Sequence, residues 1–191
     1  LGATATLFAA SKRPELFSAL VLIEPIFFPT AFLLAARSVP FPARRLFPII
    51  RKTLERRERW SSVQEFVEFH RGKRAFSRFT ETSLEHYGAY GLTPDGHGAL
   101  RLTFPKAWEA HVFSTPPYPW RWLKALTVPV LGVRAELSDF VPKASWQKWR
   151  RLRPQDHFAV LPGVGHMAPL EAPHQTARVV ADWLHSRKAE N

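Results

Sequence analysis

The sequence contains no cysteine, one methionine and only 16 acidic side chains against 27 lysines and arginines in its 191 residues. Without cysteine there is no disulfide framework, no thiolate zinc site and no cysteine nucleophile. The composition suits a reducing compartment, so the expected location is the cytoplasm. No apolar run approaches the about 18 residues that a bilayer span requires, and the longest candidate, residues 26–36, is far shorter. There is no glycine-rich phosphate loop: Gly163 and Gly165 alone do not make one. Of the eight histidines, His70, His86, His97, His111, His157, His174 and His185 lack carboxylate partners at metal spacing, so neither a metal nor any other cofactor is expected. The sequence also starts without an initiator methionine, on Leu1.

What is present is a chain rich in aromatic side chains, with 7 Trp and 15 Phe, far more than a disordered chain carries, so a packed core is expected. Three segments read as buried strands of a parallel sheet: residues 19–24, 128–134 and 157–161. Three strands are few for a parallel sheet, and unpaired sheet edges invite association, so the isolated chain is expected to be poorly soluble. Between the first and second strands lie nearly one hundred residues with helical signatures. Residues 30–37 and 48–59 read as helices. Ser62 and Glu65 form a capping box ahead of a helix over 63–70, and Thr80 caps another that ends at Gly91. Residues 99–104 alternate like a short strand or extended arm, and a helix follows over 105–113, with Pro105 at its first position. The proline-rich segment 115–119 is a stiff return linker.

Charge is concentrated in one stretch, which opens at Arg44 and closes at Arg78 and holds eleven lysines and arginines against four glutamates. A solvated helical surface explains most such runs. The specific alternative is weak contact with an anionic membrane surface, favoured by the interleaved Phe41, Leu46, Phe47, Ile49, Ile50 and Trp60; nucleic acid is not expected as a partner.

The chemistry-bearing segments are the loops after the last two strands. The strand ending at Leu161 runs into Pro162-Gly163-Val164-Gly165-His166, and a helix start follows at once, a setting that presents an imidazole at a strand end. The strand before it leads into Ala135-Glu136-Leu137-Ser138-Asp139-Phe140-Val141-Pro142, which delivers a carboxylate. At the start of the chain, Leu1-Gly2 precedes a helix of small and apolar residues. In this order the three segments resemble the α/β-hydrolase family, whose triad runs nucleophile, acid, histidine, with the nucleophile at a strand-to-helix turn of the form G-x-S-x-G.

The resemblance implies an α/β fold: the C-terminal part of an α/β-hydrolase parallel sheet with an inserted, mainly helical cap. The hydrolase core would comprise residues 1–25 and 123–191, the cap residues 26–122. His166 takes the role of general base and Asp139 that of the acid that orients it, with Glu136 as a competitor; the backbone amide of Leu1 takes that of an oxyanion-hole donor. The nucleophile falls one position before Leu1, so the chain is expected to be a portion of a longer protein and inactive alone. Leucine before glycine favours a serine nucleophile, hence a carboxylic-ester hydrolase acting on a small apolar substrate. An aspartate nucleophile would instead imply epoxide hydrolase or haloalkane dehalogenase chemistry, with Tyr87, Tyr90 or Tyr118 as polarising phenols, although packing accounts equally for those tyrosines. Neither residue there would leave a non-catalytic binding protein on the same scaffold.

Overall fold

In the computed structural model, which describes residues 1–189, the chain begins with α1 (Gly2–Lys12) and β1 (Leu20–Ile23), followed by α2 (Thr30–Ser38), α3 (Pro48–Leu54), β2 (Arg59–Trp60), α4 (Val63–Arg71), α5 (Glu81–Gly91), β3 (Leu92–Pro94), β4 (Leu100–Leu102) and α6 (Lys106–Ser114). It continues through α7 (Trp120–Ala125), β5 (Val130–Ala135), α8 (Lys143–Leu152), β6 (His157–Leu161), α9 (Ala168–Glu171) and α10 (Pro173–Ala189). Two compact units result, one formed by Leu1–Phe32 and the chain from Tyr118 onward, the other by Leu33–Pro117. The excursion read from the sequence, residues 26–122, overlaps this second unit over nearly all of its length.

The first unit is built on a parallel sheet of order β1-β5-β6. All six residues of β5 are buried, as befits a central parallel strand with both faces covered. Leu131, Val133 and Ala135 point to one face, where they pack with Leu161, Val164, Ala168 and Trp183 of α10. On the other face Gly132 meets α8: a Cβ at this position would lie 2.7 Å from the Trp149 ring, so glycine is what admits the indole. Trp149 in turn contacts Phe27, Trp146 and Phe158 edge to face. Beneath it the buried Arg153–Asp156 pair closes the turn into β6. Asp156 accepts from Trp149 Nε1 at 2.9 Å, and Arg153 donates to the carbonyls of Leu126 and Val128.

The second unit is mainly helical but carries a small antiparallel sheet of order β2-β4-β3. The helix expected over 48–59 stops at Leu54, because Arg59 and Trp60 pair with β4 and the Trp60 side chain is drawn into the core. The capping box forms with one change of partner. Ser62 Oγ accepts from Glu65 N at 3.1 Å, whereas the Glu65 carboxylate reaches past Ser62 to the amide and hydroxyl of Ser61 at 2.7 and 2.8 Å. Those two bonds, with Arg57, hold the Glu65 carboxyl down at about 2. Trp60, Phe66, Val67, Leu84 and Leu92 form the core of the unit.

Of the eleven cations in the stretch from Arg44 to Arg78, five are engaged by carboxylates within this unit: Arg51 by Glu55, Arg56 by Glu109, Arg57 by Glu65, Arg59 by Asp95, and Arg71 by Glu68 and Glu81. Arg44 is spent on the carbonyls of Arg37, Val39 and Ser114. About half of the run is thus engaged within the unit itself.

Candidate active site

The parallel strands of the first unit all end on the same side, and their C-terminal ends are where an open α/β sheet places its reactive groups. The loop after β6 brings His166 there. Two clamps hold this loop. Gly163 N donates to Glu136 Oε2 at 2.8 Å, and Glu171 accepts from Gly165 N at 2.7 Å and from Met167 N at 3.1 Å. A Cβ on Gly165 would lie 2.7 Å from Glu171 Oε1, so the short approach of the carboxylate requires glycine. The backbone of the loop also accepts from the acid loop, Glu136 N bonding Leu161 O and Leu137 N bonding Val164 O, both at 2.9 Å. Two strand-end loops are thereby fixed to one another.

The partner of His166 is not the residue expected from sequence. Its Nδ1 lies 2.9 Å from Oε2 of Glu24. Asp139 is exposed, and its side chain forms no hydrogen bond or ion pair among the described residues. Glu136, the competitor weighed beside it, serves as the clamp on Gly163. The pairing expected between Asp139 and His166 is therefore corrected to Glu24 and His166. The physical reason is that Asp139 sits on the outer side of a bend, in which Ser138 rather than Asp139 turns inward.

Glu24 directly follows β1, and its amide donates to Val133 O at 2.9 Å, extending the ladder by one bond. Its carboxylate is buried and receives three donors: Ala135 N at 2.5 Å on Oε1, and the Ser138 hydroxyl and His166 Nδ1 on Oε2. Its backbone adopts φ 49°, the one left-handed non-glycine residue among those described. That conformation costs about 1–2 kcal/mol, and it turns the carboxylate under the end of β5 instead of continuing along the strand. A carboxylate accepts, so Nδ1 is the nitrogen that donates to it, and in the neutral imidazole the lone pair lies on Nε2. The ring of Phe140 lies beside the imidazole, with centroids 4.3 Å apart and planes tilted by 32°. His166 itself remains partly open to solvent, its side chain 24% exposed.

Leu1 caps α1. Its carbonyl accepts from Thr4 N and Ala5 N, both at 3.1 Å. Of the tyrosines weighed from sequence, Tyr87 packs against Phe66, Phe76 and Phe79, with burial raising its phenol, and Tyr90 is 81% exposed. Among the described residues no group of three His, Asp or Glu is arranged to hold a metal, and no helix is long and apolar enough to cross a membrane.

Sequence reasoning missed Glu24. The signal was a single carboxylate at the end of an apolar strand, followed by Pro25, at a position where parallel strands deliver functional groups.

No family model matches the sequence. Solved structures do resemble it. The chain is similar to an E-2-(acetamidomethylene)succinate hydrolase, with 22% identity and a TM-score of 0.75, the match covering 96% of this chain and 63% of that one. It is similar to a peroxisomal α/β-hydrolase of Saccharomyces cerevisiae, with 18% identity and a TM-score of 0.74, over 96% of this chain and 50% of that one. An α/β-hydrolase from Novosphingobium aromaticivorans matches with 20% identity and a TM-score of 0.66, over 94% and 61% of the two chains. The chain thus spans between half and two thirds of the length of these structures.

Proposed function

The chain carries the α/β-hydrolase fold, and we propose that it provides the histidine and the acid of a serine-type ester hydrolase, with Glu24 as the acid. The observation that carries this reading is the Glu24–His166 contact, which engages Nδ1; in the neutral ring Nε2 is then the basic nitrogen. In such a site Nε2 takes the proton of a hydroxyl as the oxygen attacks the acyl carbon, the acyl–enzyme forms, and the imidazolium returns the proton to the departing alcohol. Water then repeats the sequence and releases the acid. Throughout, Glu24 holds the ring in one tautomer and stabilises its charged state.

The nucleophile in this reading is a serine immediately before Leu1, at the turn into α1, and the Leu1 amide is one donor to the oxyanion. Its support is the position of Leu1 at the N-cap of α1, where its carbonyl accepts from Thr4 N and Ala5 N; a backbone amide at such a turn can stabilise developing charge. The substrate is a small apolar carboxylic ester, and the second unit, with its aromatic core, is assigned the part of a cap that shapes what is accepted.

The test is hydrolysis of p-nitrophenyl esters of increasing acyl length by the encoded protein, meaning the full-length form that includes the serine this reading places before Leu1, beside His166→Ala. The reading expects activity in the unsubstituted protein and a fall of at least about a thousandfold in the variant. Equal activity in both, or none on any ester, would overturn it.

A further inference from the structure

Ser138 is buried at the bend that follows β5. Its Oγ accepts the amides of Phe140 at 3.2 Å and Val141 at 3.3 Å, and its own proton goes to Oε2 of Glu24, the oxygen that also takes the His166 Nδ1 proton. A serine that merely closed a turn would accept these two amides and need no acid. Here both acceptor positions of the hydroxyl are occupied by amide hydrogens, so its proton has one remaining use, and the carboxylate takes it. Phe140, whose amide Ser138 holds, is the residue whose ring lies against the imidazole. One hydroxyl therefore bonds both residues that flank His166: the carboxylate of Glu24, which takes Nδ1, and the backbone amide of Phe140, whose ring lies beside the imidazole.

We infer that Ser138 is a positioning residue for His166: it fixes the rotamer of Glu24 and the place of Phe140 so that Nε2 keeps a single direction. The role rests on the hydrolase reading for its catalytic meaning, while the hydrogen-bond chain that expresses it is observable in its own right.

Two readouts on the encoded protein separate these. One is the Nδ1 proton of His166, followed by NMR in the downfield region and assigned by its loss in His166→Gln. The other is kcat and KM on a p-nitrophenyl ester. In Ser138→Ala the Nδ1 proton is expected to shift and to exchange faster with water, and kcat to fall about tenfold with KM little changed, as befits one lost hydrogen bond to a charged group. Ser138→Thr, which keeps the hydroxyl, is expected to restore both. Should alanine prevent folding, Ser138→Cys takes its place, filling the space with a poor donor. A folded Ser138→Ala or Ser138→Cys protein with the Nδ1 proton and kcat unchanged overturns the inference. Absence of hydrolysis in the unsubstituted protein would instead remove the hydrolase reading, and the Nδ1 proton alone would then decide whether Ser138 orients His166.

Discussion

Three donors converge on the carboxylate of Glu24 from three different places in the chain: the end of β5, the bend after it and the loop after β6. Such a group cannot rotate without breaking several bonds at once, and this rigidity offsets its left-handed backbone. The second unit offers a contrasting case in His70, whose Nδ1 donates to Phe66 O at 2.8 Å within the aromatic cluster. Burial is the main cause of its lowered pKa, so the fold resists protonating it. The sign follows directly. Above the unfolded value of 6.5 both states are neutral and His70 leaves stability independent of pH; below it the unfolded chain takes up the proton first, and stability declines as pH falls. Thermal unfolding at pH 7.5 and 5.5 should show a loss at the lower pH that is smaller in His70→Gln; an unchanged difference would mean that other groups govern the acid response.

At the scale of elements, tight approaches set the geometry. Gly132 lets α8 lay Trp149 against β5, and α8 leads directly into the turn that starts β6 and hence the His166 loop. Gly132→Ala should therefore force the indole away and destabilise the first unit by about 1–3 kcal/mol, measurable by urea denaturation; a stability within about 0.5 kcal/mol of the original would show that the contact yields easily.

The elements differ in how readable they are from sequence. The three parallel strands stand out because each is an apolar run bounded by turn residues, and β6 has the bounds expected of it, His157–Leu161. β2 and β3 were hidden. Each is only two or three residues long, and each exists because β4 lies beside it, a pairing that no local pattern expresses. α7 was missed as well, its Trp120 and Leu123 lying just past the proline-rich return. At the site, His166 was legible through its flanking glycines and the helix start that follows. The partner was not, because Asp139 occupies the expected place in chain order, and only three-dimensional structure shows that the bend turns Ser138 inward and leaves Asp139 outside.

Over the whole molecule the formal charge is +11, and within the second unit several arginines are locally engaged by carboxylates or carbonyls. The first unit presents the strand ends, with the histidine loop, the acid loop and Glu24 held together by bonds that span the chain from residue 24 to residue 171. The central claim is that Glu24, and not Asp139, is the acid that serves His166. The measurement that tests it most directly is ester hydrolysis by the encoded protein with Glu24→Gln and with Asp139→Asn, each assayed beside the unsubstituted form. The structure predicts a loss in kcat of between about a hundred- and ten-thousandfold for Glu24→Gln and a change of no more than about threefold for Asp139→Asn. The reverse order would contradict it.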